Sequence, residues 1–136
     1  MAREVVEGMI ELKTPKEIEA MKPAGRFVGG ILRDLKEFTK VGTNLLEIDE
    51  FVHKRIVDRK GASSCYVDYA PDFGTGPFAH YICTSVNDAV LHGVPYDYNL
   101  KDGDLVSSIW RSTSTDGSRI PPSASASARS IPTTCA

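Results

Sequence analysis

Apolar patterning runs through residues 1–107 of this chain and then stops. From Ser108 to Ala136 there are eight Ser, four Thr, four Ala, three Pro and three Arg, with no Lys, Glu, Leu, Val or Phe. A segment so poor in large apolar side chains cannot offset its own ordering entropy, so disorder is expected there. The 136 residues therefore divide into one folding unit, 1–107, and a low-complexity tail, 108–136. A unit of that size supports a modest core and no second domain.

Within the unit, two helices announce themselves by their first turns. Thr14, Pro15 and Glu17 in "TPKE" form a capping box with proline at the first helical position. Ile18, Met21, Val28, Leu32 and Leu35 then follow a helical stripe that predicts a buried face. Pro23 and the pair Gly29–Gly30 predict a kink or close packing along it. A short strand or extended arm, "IELK", precedes this helix. Asn44 and Glu47 repeat the capping-box spacing ahead of Leu45, Ile48, Val52 and Ile56, and Gly61 is a natural stop. His53, on this second helix among charged neighbours, reads as a solvated face residue.

The second half of the unit favours strands. "SSCYVDYA" has strand-forming residues, and "PDFGTGPFAH" is a loop by its two Gly and two Pro. "YICTSVNDAVLHGVP" predicts two short strands around a turn at Asn87–Asp88. "LKDGDLVS" predicts a turn at Asp102–Gly103 leading into another strand. Two helices followed by strands give an α+β class, the helices packed on an antiparallel sheet.

Composition narrows the functional classes. A net charge of −2 gives no reason to expect a nucleic acid or an anionic membrane as partner. Three cysteines without CxxC spacing, Cys65, Cys83 and Cys135, read as reduced thiols and not as a disulfide frame or a zinc site. With no apolar signal segment or membrane span, a cytoplasmic location is expected.

"YICTSVNDAVLHGVP" and the "GDLVS" downstream closely resemble the signature of type I methionine aminopeptidases. "TPKEIEAMKPAGRFV" and "GTNLLEIDEFVHKRIVDRKGA" resemble that family's first two helices, so the likeness runs from Ile10 to Ser107. The loop from Pro71 to Phe78 resembles the longer version found in part of the family. The resemblance implies the N-terminal half of a pita-bread fold and removal of initiator methionine from new polypeptides. It implies as partners peptide N-termini beginning with methionine, including nascent chains at the ribosome. It also implies a pair of divalent cations (Co, Mn, Fe or Zn) held by two aspartates, one histidine and two glutamates, which activate a bridging water and polarise the scissile carbonyl.

Carried over residue by residue, His92 in "LHGVP" matches the family histidine beside the metals, which hydrogen-bonds substrate and helps stabilise developing charge. Cys83 matches a pocket-lining position, Tyr69 a tyrosine of the methionine pocket, and Tyr66 a second one. His80 has no matching role and reads as a loop histidine. Asn87 and Asp88 read as turn residues, not ligands.

In the family the strand after "GDLVS" carries the first metal aspartate, and a second follows eleven positions on. "SIWRSTSTDGSRIPPSA" shows neither. Read one nucleotide out of step, its codons can encode Ile-Asp-Leu-Ala and then Asp-Gly-Trp-Val-Ala-Asp-Ser-Ala, with the aspartates at the family spacing. A Ser/Arg/Pro/Ala-rich tail is also what a GC-rich gene yields out of frame. The expectation is a frameshift near Ser107–Ser108, in nature or in the sequence record. On that reading all five metal ligands are missing, no metal is bound and the chain is catalytically incompetent. The alternative is a non-catalytic pita-bread module that binds protein or RNA, although no basic stripe with interleaved aromatics is present.

Overall fold

A computed structural model of the protein describes residues 12–60, 62–72, 74–114 and 128–129. Helix α1 spans Pro15–Phe38. Its start is closed reciprocally: Glu17 N–H donates to Thr14 Oγ1 at 3.3 Å, and Thr14 N–H donates to Glu17 Oε2 at 2.8 Å. Two amides that a helix start leaves bare are thereby satisfied. At the far end the Thr39 amide and hydroxyl both donate to Leu35 O.

The buried face of α1 is Ala24, Val28, Ile31, Leu32 and Leu35. Ile18, expected in that stripe, is instead 48% exposed, and Met21 is only half-buried. The reason among the described residues is length: α1 has 24 residues against 14 in α2, so its first turns extend beyond what α2 can cover. The helix continues unbroken past Pro23. Among the described residues a Cβ on Gly29 would meet nothing within 4 Å, and one on Gly30 only the Arg33 side chain at 4.0 Å, so no close packing of the expected kind is found there.

Helix α2, Leu45–Asp58, opens with the second capping box, Asn44 N–H donating to Glu47 Oε2 at 2.8 Å. Leu45, Ile48, Val52 and Ile56 are all buried, as the spacing predicts. Gly61, the expected stop, lies outside the described residues. Arg55 pairs with Asp34 of α1 at 2.8 Å, and the Arg59 guanidinium lies over the Phe27 ring at 4.2 Å. The "IELK" arm lies partly outside the described residues; Leu12 and Lys13 form no strand.

The strands are β1 (Ala62–Ser64), β2 (Cys83–Val86), β3 (Val106–Trp110), β4 (Ser112–Ser114) and β5 (Ala128–Arg129). Strand β2 pairs antiparallel with β3, Cys83 opposite Ile109 and Val86 opposite Val106. Strand β5 adds to the other edge of β3, and β1 pairs with β4. The turn at Asp102–Gly103 precedes β3 as expected, with Gly103 at φ 87°. Only the first residues of "SSCYVDYA" are strand; Cys65–Asp68 bend and turn.

Two expectations are corrected here. Asn87–Asp88 do make a turn, but residues 89–95 form no second strand. They return to β2 at one point, where Thr84 N–H donates to Gly93 O at 2.8 Å. Contact there is so close that a Cβ on Gly93 would lie 2.1 Å from Thr84 O. The second correction concerns the tail. Disorder does not begin at Ser108, because β3 runs on through Trp110 with alternate residues buried. Ser108 is 2% exposed and Trp110 is fully buried, edge-on to Phe27 at 5.6 Å. Residues 115–127 and 130–136 of the tail lie outside the described residues.

The core gathers α1, α2 and the β2–β3 ladder around Leu35, Leu45, Ile48, Val52, Ile82 and Trp110. The class is α+β, two helices against small antiparallel sheets. Among the described residues, no helix is long and apolar enough to cross a membrane.

Candidate functional site

Strand β2 is fixed at its entry by a residue from α2. Asp49 accepts hydrogen bonds from Tyr81 N–H at 2.7 Å and Ile82 N–H at 3.3 Å, and its other carboxylate oxygen meets His80 Nδ1 at 2.8 Å. His80, expected to be a plain loop residue, is thus a half-buried partner of Asp49. Nothing in the sequence marks Asp49 for this task, since its partners stand more than thirty residues away. His53 also departs from a solvated role: its ring stacks on Tyr81 at 4.2 Å and its Nδ1 meets Glu50 at 3.2 Å. That contact holds the Glu50 carboxyl below its usual range.

From this anchored start, Cys83 points into a cleft of about 750 Å³. The walls come from the segment Cys65–Tyr69, the Gly/Pro loop up to Phe78, β2, the turn carrying His92 and Val94, and Arg111 after β3. All four residues singled out by sequence, Tyr66, Tyr69, Cys83 and His92, line it. Sequence reasoning did not find Phe78 or Arg111, which line it too. Phe78 sits between Tyr66 and His80, 5.9 Å from each ring in edge-on geometry.

His92 stands exposed at the cleft with φ 54°, a left-handed conformation that few non-glycine residues adopt. It is held there by the next residue: Gly93 N–H donates to Ser85 Oγ at 3.1 Å while Gly93 O accepts from Thr84. His92 Nδ1 lies 3.8 Å from Cys83 Sγ. Burial pushes the Cys83 thiol up to about 11, so it is protonated at neutral pH. Burial also raises the Tyr66 phenol, Cys83 adds to the rise, and Arg111 partly offsets it. Tyr69 is 59% exposed and forms the rim, its carbonyl accepting from Phe78 N–H at 2.9 Å.

The cleft therefore presents neutral or cationic donors on apolar walls. A divalent ion pair needs carboxylates, and none of the lining residues is Asp or Glu. Strand β3, where the resemblance places the first metal aspartate, carries Ser107, Ser108, Ile109 and Trp110. Among the described residues, no group of three or more His, Cys, Asp and Glu is placed to hold a metal ion. These residues do not fit the ion pair.

Comparison with known proteins places this geometry. Residues 19–109 match metallopeptidase family M24. The chain is 36% identical over 99 residues to methionine aminopeptidase 1 of Bacillus subtilis, covering 73% of this chain and 37% of that protein. A solved methionine aminopeptidase from Streptococci superimposes with a TM-score of 0.67 at 34% identity, over 76% of this chain and 36% of the other. The enzyme of that name from Thermotoga maritima gives a TM-score of 0.68 at 26% identity, over 90% of this chain and 45% of the other. The chain spans little more than a third of the length of the curated relative it matches. Most of α1, all of α2 and β2, the His92 turn and most of β3 fall inside the matched region, and the chain belongs to metallopeptidase family M24, as a type I methionine aminopeptidase-like N-terminal part of the pita-bread fold.

Proposed function

We propose that the cleft is the substrate-side wall of a methionine aminopeptidase centre, in the family that removes initiator methionine from new polypeptides. The supporting observation is that Tyr66, Tyr69, Cys83 and His92 converge on one cavity of about 750 Å³. On this reading the apolar wall of Tyr66, Tyr69 and Cys83 receives the methionine side chain. His92 donates to the substrate near the scissile carbonyl.

The same reading makes the chain as written incompetent in hydrolysis. Strand β3 carries no aspartate where the resemblance places the first metal ligand, and Asp116 is the one acidic residue within 105–136. A frameshift near Ser107–Ser108 accounts for that deficit, and a genomic read across the Ser107 codon that finds the frame intact removes it.

The deciding assay incubates the purified chain with a Met-Ala-Ser peptide and added Mn²⁺ or Co²⁺, with methionine release as readout. No release above the blank is expected. Release that a chelator abolishes overturns the claim of incompetence.

A further inference from the structure

Arg111 is not used by the methionine reading, and it changes the character of the cleft. It is the one Arg or Lys in the lining, and no Asp or Glu faces the cavity. Among the described residues the guanidinium forms no ion pair, and its Nε is buried without a hydrogen-bond partner. With Nε enclosed, it is the rest of this half-buried guanidinium, lining the cleft without a carboxylate partner among the described residues, that favours an acceptor there. The acceptor that matches its planar fork is a carboxylate, which takes two parallel N–H donors at once. One positive charge balances a monoanion and leaves a phosphate dianion under-compensated. The rest of the wall, Tyr66, Phe78, Cys83 and Val94, is apolar or neutral.

We propose that this cleft binds a small monocarboxylate, its carboxylate paired with Arg111 and its apolar tail lying against Tyr66, Phe78 and Cys83. The site is thus an anion site in the place where the family resemblance implies cations. It shares its apolar wall with the methionine reading but depends on Arg111 alone for its preference, so either can fail without the other.

The test is calorimetric titration of the full chain with hexanoate and with hexanamide, which match in size and differ in charge. Hexanoate is expected to bind at least tenfold more tightly. In Arg111→Gln the hexanoate affinity is expected to fall about tenfold, with hexanamide unchanged. Equal affinity for acid and amide, no binding of either, or an acid preference that survives in Arg111→Gln overturns the proposal. Should Arg111→Gln fail to fold, as judged by Trp110 fluorescence, the preference of the unaltered chain decides alone.

Discussion

Cys83 couples the chemistry of the cleft to the stability of the fold. Its thiol is 2% exposed, and burial alone lifts it from an ordinary 9.0 to about 11. At neutral pH it is a protonated thiol 3.8 Å from His92 Nδ1 and no nucleophile, since the thiolate is the reactive form. An acid whose pKa is raised on folding favours the folded state only while protonated. The stabilisation is complete below pH 9 and is lost as pH climbs through the window up to about 11. A shift of this size corresponds to roughly 2–3 kcal/mol. The urea midpoint is therefore expected to fall across that window, and to fall less in Cys83→Ala. Tyr66, raised in the same direction, accounts for the loss that remains at the top of the range. Identical pH slopes for the two proteins contradict this account of the thiol.

Between elements, the contact that shapes the cleft is the Asp49 clamp from α2 onto the entry of β2. Its carboxylate takes two backbone amides and His80, and its side chain is 14% exposed. Asp49→Ala leaves those donors short of an acceptor, at a cost of about 2–3 kcal/mol. Asp49→Asn keeps one acceptor oxygen and should lose less. Urea unfolding of both variants checks the order; equal stability of Asp49→Ala and the parent contradicts the clamp. Such links mark the limit of what the sequence makes legible. The two helices were readable because a capping box closes over four residues and a stripe repeats every turn, both local signals. The four cleft residues were readable through the family motif. Asp49 was not, because its partners are distant in the chain. The strand expected over residues 89–95 was over-read because branched and aromatic residues favour strands only where a partner completes the ladder. Here β3 already takes the inner edge of β2, and Gly93 takes one bond on the other side.

At the scale of the whole molecule, how far β3 runs past Ser107 decides what can fold. Averaged over residues 108–136, composition predicts nothing to bury, yet the average hides a five-residue alternation, Val106-Ser107-Ser108-Ile109-Trp110, that completes the sheet. Trp110 is wholly buried against Phe27, and deleting such a side chain costs about 3–5 kcal/mol. Single domains have only about 5–15 kcal/mol in all, so this one residue is a large share. Truncation after Ser107 also removes the partners of Cys83 and Thr84 in the ladder, leaving β2 paired at Ser85 and Val86 alone. Residues 1–107 are therefore expected to lose cooperative unfolding and near-ultraviolet dichroism. Residues 1–114, which keep Trp110 and β4, are expected to retain both. If the shorter piece melts as sharply and at the same denaturant concentration as the longer one, then the indole contributes nothing to the core and the fold is complete by Ser107.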